Sequence, residues 1–412
     1  MKIINIISRY RPEIEKINFF FAIALAFFMP LFPKIIPKLI ILWVITWLLE
    51  GNFKNKLSNI HGNIALFYIF ISFFIYHIAG LLYSDNIKVS LFDLEVKLSL
   101  LIIPIVLITS NQIYTNKYNQ ILFAFFSGNL IASVLCIING LIKEFVAFDN
   151  FHNLYYEYLS VFIHPSYFSM YIAMALIIMG QLQFEKYFGD YKWINVLFLL
   201  LVLFSLLMIY LLSSKTGIFS GTLALIFLLI YNIKKKINLK ICIAFGIIIS
   251  SFVIYSFYKN GRIINLTNQL RTTEINLKEK KFETSNDRLM IWYYSFEIIK
   301  KNFWFGVGNG DIKDRLIEEY KKNNFEIGVK EKLNAHNQYI ETFIAQGFCG
   351  FIMLLLILII PLFKSVNKNR LLLTSFIIII GVNFFFESML NTQAGVVFFS
   401  FFYSFFNFVD NA

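Results

Sequence analysis

The chain reads as a succession of apolar runs of near-membrane length, broken by short polar connections and one long hydrophilic stretch. Runs of about 20 mostly apolar residues can cross a bilayer as helices. Here the runs are nearly continuous, as in Val196–Leu212 and Phe351–Ile360. A membrane β-barrel would instead show segments of about 10 residues alternating in and out. The pattern predicts twelve spans, near residues 17–33, 35–49, 64–83, 92–109, 119–142, 165–183, 193–212, 217–232, 241–257, 338–362, 371–386 and 395–409. Pro30 and Pro33 punctuate the first, and the fourth begins with an amphipathic turn holding Asp93, Glu95 and Lys97. The fold class expected is an all-α polytopic membrane protein of about twelve transmembrane helices. Residues 1–257 carry spans one to nine, 258–337 form one large loop with short surface helices, and 338–412 carry spans ten to twelve.

Composition agrees with that pattern. Of 412 residues 58% are apolar, 18% aromatic and 15% charged, whereas a soluble domain carries about 25% charged residues. The net charge of +12 would suit a nucleic acid, but its placement points to a membrane. With the N-terminus cytoplasmic, sixteen Lys and Arg fall at cytoplasmic span ends and five in short outside connections, namely Lys34, Lys38, Lys88, Lys143 and Lys215. Lys97 sits in a span and the remaining fifteen lie in the long loop, where the positive-inside rule does not apply. Both termini are therefore expected inside and the loop outside, with no nucleic-acid partner. Cys136, Cys242 and Cys349 fall in apolar spans at unrelated spacings and indicate neither a disulfide framework nor a thiolate metal site. The first apolar run follows a charged start, lacks a small-residue cleavage site and reads as a retained anchor.

That orientation sorts the polar span ends onto one outside face. His164-Pro165-Ser166 opens the sixth span and Ser213-Ser214-Lys215-Thr216-Gly217 joins the seventh and eighth. His336 opens the tenth, and the segment from Glu387 to Gln393 joins the eleventh and twelfth. Within the loop, Leu289, Trp292 or Tyr293, Phe296 and Ile299 recur at helical spacing, which predicts a surface-lying helix over Asn286–Asn302. An aromatic, Gly-rich turn follows from Asn302 to Asp311, then a second short helix from Ile312 to Tyr320. Gly306, Gly308 and Gly310 follow no strand and lack the spacing of a phosphate loop.

The sharpest candidate for chemistry is His336, in Asn334-Ala335-His336-Asn337-Gln338-Tyr339. With Asn334 as N-cap, it would sit in the first turn of the tenth span. Free N–H groups at a helix start suit phosphate, and a neutral histidine there can act as general base. The other reading is an interfacial histidine bonded to a loop carbonyl. Arg288 opens the surface helix and either forks onto phosphate oxygens or is a solvated or headgroup-facing charge. Lys215 lies in a very short turn between apolar spans, where a cation is costly unless it has a partner, a role or a path to the headgroups. Glu387 could pair with Lys215 or Arg288, or orient His336. His164 is either a second polar contact or the residue before a helix-starting proline. A metal site from His164, His336 and Glu387 lacks local ligand spacing, and the outside loops hold no Asp-x-Asp pair. No metal and no cofactor are expected.

Several of these segments resemble the bacterial O-antigen ligase and polymerase superfamily. His336-Asn337-Gln338-Tyr339 followed by Gln346-Gly347-Phe348-Cys349-Gly350 is similar to its His-Asn-x-Tyr…Gly-x-x-Gly signature. The likeness extends to Gly80-Leu81-Leu82-Tyr83-Ser84, His164-Pro165-Ser166-Tyr167, Ser213 to Gly217, Arg288 with Trp292, and Glu387 to Gly395. It implies a membrane-embedded, GT-C-like glycosyltransferase of the bacterial inner membrane, with a periplasmic site and membrane lipids around it. Such a protein takes a glycan from an undecaprenyl-diphosphate carrier and passes it to a lipid A–core hydroxyl, or, in a polymerase, to another carrier-linked glycan. The family roles carry over to His336 as base and Arg288 as diphosphate ligand. Asn337, Tyr339, His164 and Glu387 fall on the supporting or acceptor side. Where many members have Ser-Arg-Gly this chain has Ser214-Lys215-Thr216-Gly217, and lysine keeps the charge without the fork.

The mechanism expected is an inverting, metal-independent transfer, with ligase favoured over polymerase by the modest length and compact loop. Trp292, Tyr293 and Trp304 either stack on sugars or rest in the headgroup layer. A lipid-linked glycan flippase or transporter is the alternative of another class. It calls for charges buried along the spans, and Glu95 and Lys97 are the positions that bear on it. A single site also requires His336, Arg288 and Lys215 to meet in space.

Overall fold

A computed structural model describes residues 2–58, 60, 64–109, 112–147, 152–189, 191–234, 287–368 and 370–409, with 247, 251 and 255. All regular structure among these residues is helical. Helices α1 (Lys2–Phe28), α2 (Ile36–Glu50), α3 (Phe53–Ser58) and α4 (Ile64–Ala79) come first, the last running into a 3-10 turn at Gly80–Tyr83. Next are α5 (Ile87–Lys97), α6 (Ser99–Ile108), α7 (Gln112–Asn116), α8 (Tyr118–Ala147) and α9 (Tyr156–Leu159). They are followed by α10 (Pro165–Phe184), α11 (Lys192–Leu211) and α12 (Lys215–Lys234). The hydrophilic segment contributes α13 (Asp287–Lys301), α14 (Ile312–Lys322) and α15 (Glu326–Lys330). Finally, α16 (Gln338–Asn367), α17 (Leu371–Phe386) and α18 (Gln393–Ser404) complete the bundle.

Among the described residues five helical segments are long and apolar enough to cross a membrane: Ile64–Tyr83, Tyr118–Val146, Pro165–Gln183, Lys192–Leu211 and Gln338–Asn367. Shorter apolar segments at Lys215–Ile230, Leu371–Phe386 and Gln393–Val409 match the eighth, eleventh and twelfth expected spans. The stretch expected as the fourth span, 92–109, is two helices meeting at Leu98. Leu98 itself keeps helical angles, φ −56° and ψ −27°, with its N–H donating to the Glu95 carbonyl at 3.2 Å; beside this join Ser400 Oγ donates to the Ser99 carbonyl at 2.7 Å. The ninth expected span, 241–257, lies outside the described residues apart from isolated positions.

Two helices are buried nearly all round, which marks them as the centre of the bundle. In α10 the run Phe168 to Leu182 is almost wholly enclosed, packed between α8, α11, α12 and α17. In α18 and its continuation to Val409 every residue from Gly395 on is buried. Aromatic rings join them to each other and to α8: Tyr171 of α10 stacks on Phe398 of α18 at 4.5 Å, and Phe125 of α8 meets Phe402 of α18 edge-on at 4.6 Å. Between membrane helices close packing replaces the water-driven term, and each such ring pair adds about 0.5–1.5 kcal/mol beyond burial.

The hydrophilic segment docks on one end of this bundle through its own small core. Ile291, Tyr294, Ile298, Leu316 and Tyr320 pack with Ile340 and Ile344 of α16. The joint is made at a kink in α16, where Gly347 has φ 63° and ψ −160°. The carbonyls it releases are taken by the Gly-rich turn: Val307 N–H donates to Ile344 at 2.8 Å and Gly308 N–H to Ala345 at 2.9 Å. In return Phe348 N–H donates to the Phe303 carbonyl at 2.8 Å. A Cβ on Gly347 would lie 2.4 Å from the Trp304 carbonyl carbon, and one on Gly306 2.5 Å from that of Ala345. Backbone meets backbone here, so glycine is required on both sides.

The far side of the turn is held as firmly. The Asp311 carboxylate accepts from Ser84 Oγ at 3.0 Å and from the N–H groups of Asp85 and Asn86 at 2.7 and 2.8 Å. Asn309 donates to the His77 carbonyl at 2.8 Å. The turn that the sequence excludes as a phosphate loop is thus a clasp between α16 and the end of α4.

Candidate functional site

Helix starts gather at the end of the bundle where the loop docks. α10, α12, α16 and α18 all begin there, each behind a capping side chain. The His164 imidazole accepts from Ser166 N–H, Ser214 Oγ from Gly217 N–H, Asn337 Oδ1 from Tyr339 and Ile340, and Thr392 Oγ1 from Gly395. The cap of α16 is therefore Asn337, with an extended backbone, and not Asn334. Asn334 Oδ1 instead accepts from His336 N–H at 3.1 Å. His336 precedes the helix with φ 45°, a left-handed conformation uncommon outside glycine. Asn337 thus fills the Tyr339 and Ile340 donors, which are not left as bare N–H groups at this helix start.

Glu387, just past the end of α17, is the point where the elements meet. Its Oε1 accepts from Ser166 Oγ at 3.0 Å and lies 4.0 Å from Arg288 Nη2, and its Oε2 lies 3.8 Å from His336 Nδ1. The last two are longer than hydrogen bonds. The Glu387 side chain is 16% exposed, His336 34% and Arg288 37%. Burial by itself would raise the Glu387 pKa. His336, Arg288 and His164 outweigh burial and hold it below the usual carboxylate range.

Lys215 is the first residue of α12, half-buried, next to Ser214. Ser214 Oγ shares a hydrogen bond of 2.7 Å with Thr216 Oγ1 and reaches Ser166 Oγ at 3.4 Å. A chain of hydroxyls thus runs from the Lys215 turn to Glu387. The structure brings His336, Arg288, Glu387 and the Lys215 turn to one mouth.

The remaining candidates stand behind or beside it. Tyr339 points into the bundle, its hydroxyl donating to the Gly381 carbonyl at 3.0 Å. His164 caps α10 ahead of Pro165, with Nε2 3.9 Å from Glu157 at the rim. The Trp292 indole N–H donates to the Ala335 carbonyl at 3.0 Å and its ring abuts Phe385, so it pins the His336 segment. Tyr293 and Trp304 are exposed. An open cleft of about 740 Å³ at the other end of α13, lined by Tyr83, Asp85, Lys301, Arg315 and Glu318 among others, includes none of the mouth residues.

The in-span charges raised by a transport reading are accounted for locally. Lys97 pairs with Asp93 one turn before it in α5, and Glu95 is exposed. Among the described residues no three His, Cys, Asp or Glu side chains group as metal ligands.

Sequence reasoning passed over Ser166 and Glu341 as contributors. Glu341 is a buried carboxylate in the first turn of a membrane-length helix, and a carboxylate so placed is a signal that partners must exist.

Residues 200–355 match a family model described as O-antigen ligase. They take in the Lys215 turn, Arg288, His336 and the kink at Gly347. No curated protein matches the chain.

Proposed function

From a chain that is O-antigen ligase-like over residues 200–355, we propose a glycosyltransferase that moves a glycan from undecaprenyl diphosphate to a lipid A–core hydroxyl. The observation that carries this reading is Glu387, which contacts both His336 and Arg288. A base and a phosphate-binding cation then share one ionised partner at one mouth.

In this mechanism Glu387 faces Nδ1 of His336 and leaves Nε2 as the base. The acceptor hydroxyl attacks the anomeric carbon of the donor sugar and its proton passes to Nε2. The bond from that carbon to the diphosphate oxygen breaks, and the electron pair leaves with the polyprenyl diphosphate. Arg288 and Lys215 stabilise the charge that develops on it. One direct displacement inverts the anomeric centre, and no step assigns work to a metal. Around this site we read twelve crossings of the bacterial inner membrane, both termini cytoplasmic and the mouth periplasmic. The related polymerase reaction would use the same groups with a carrier-linked glycan as acceptor. For a flippase the span charges offer little support, since Lys97 is paired with Asp93.

Purified protein, a polyprenyl-diphosphate glycan and lipid A–core, with and without chelator, provide the test. Transfer should survive chelator and disappear in His336→Ala. Lengthening of the donor with no core product would favour the polymerase reaction. Donor crossing vesicle membranes with no transfer at all would sink the enzyme reading.

A further inference from the structure

Glu341 has no part in the chemistry above, yet it joins the two segments on which that chemistry stands. It is 4% exposed in the first turn of α16. Its Oε2 accepts from Ala335 N–H at 3.2 Å and Ser388 Oγ at 3.3 Å, and its Oε1 from Asn391 Nδ2 at 2.8 Å. Ala335 immediately precedes His336, and Ser388 immediately follows Glu387. Gln338, on the same turn, makes a parallel tie: its Oε1 accepts from Leu390 N–H at 2.6 Å.

A buried carboxylate is costly unless its acceptor sites are filled, and an apolar side chain would pack α16 at less expense. What the carboxylate adds is simultaneous purchase on two separate loops. The His336–Glu387 contact, at 3.8 Å, has no direct hydrogen bond to fix its length. That length is set by the backbones behind it. We propose that Glu341 is a positioning residue that holds His336 against Glu387 by tying segment 334–337 to segment 387–391. This rests on the reading of His336 as base.

The test compares wild type with Glu341→Gln, which keeps one acceptor oxygen and turns an NH₂ toward a donor. Misplacement of a catalytic group by an ångström costs on the order of 10²-fold, so kcat should fall about 10- to 100-fold while donor KM holds. In a Glu387→Gln background the same change should cost little more, because it acts through that contact. A readout independent of transfer is acrylamide quenching of Trp292, which is bonded to Ala335, taken as the difference from a Trp292→Phe variant. Quenching should rise in Glu341→Gln.

A full loss repeated in the Glu387→Gln background, or unchanged quenching, would overturn the proposal. If Glu341→Gln does not fold, Asn391→Ala removes one donor from outside and should give a smaller, kcat-only loss. A loss confined to KM there would overturn it equally. If wild type transfers no glycan, the functional reading falls and the quenching difference alone decides the tie.

Discussion

Replacing Glu387 by Gln removes a charge and little volume from the centre of the mouth. In the proposed mechanism His336 takes the acceptor's proton, so its attraction to Glu387 grows as the transition state forms. Two unit charges 3.8 Å apart attract by about 1 kcal/mol in water-like surroundings and about 4 kcal/mol at an effective dielectric near 20. A carboxylate 16% exposed belongs between those limits, at about 2–3 kcal/mol. At about 1.4 kcal/mol per decade the expected loss in kcat is about 30- to 150-fold. Donor KM should hold or fall, because Arg288 loses a competing anion and can turn wholly to the diphosphate. Steady-state transfer to lipid A–core by purified wild type and Glu387→Gln, with donor and acceptor varied separately, measures both constants. A kcat within about twofold of wild type, or a loss carried entirely by KM, would refute the electrostatic argument.

Two further outcomes concern the fold. Gly347→Ala should lower the unfolding temperature in detergent. The position has φ 63° with the Trp304 backbone against it, and strained backbone of this kind costs about 1–3 kcal/mol before the clash is counted; an unchanged temperature would mean that the clasp with the Gly-rich turn contributes nothing. Glu387 also gives stability a pH dependence. With its folded pKa held below the ordinary 4.5, its contribution is complete above that value and is lost as pH falls through the folded pKa. The gap in unfolding temperature between wild type and Glu387→Gln should therefore narrow as pH drops below 4.5, and a constant gap would refute the assignment.

How far the sequence reached is clearest at particular elements. The surface helix expected over Asn286–Asn302 is α13 at Asp287–Lys301, because three-to-four spacing of apolar residues is a local pattern that needs one wall to lie on. The start of α16 was legible within a few residues, but its cap was not. Asn334 and Asn337 both precede the apolar run and both can accept from backbone N–H groups. Only the extended backbone at Asn337 and the left-handed turn at His336 decide between them.

By itself the sequence determined the apolar runs, the long hydrophilic segment, and the gathering of His164, Lys215, His336 and Glu387 at span ends. Those follow from hydropathy and spacing, which are properties of neighbouring residues. It could not determine that Glu387 stands between His336 and Arg288, or that Glu341 ties their loops, since these partners come from separate helices. Nor could it foresee that Gly306 and Gly347 let two backbones touch, or that Ser400 reaches the Ser99 carbonyl beside the join of two helices at Leu98. Which side of a helix end faces which neighbour is settled by how the bundle packs, and only the tertiary structure holds that information.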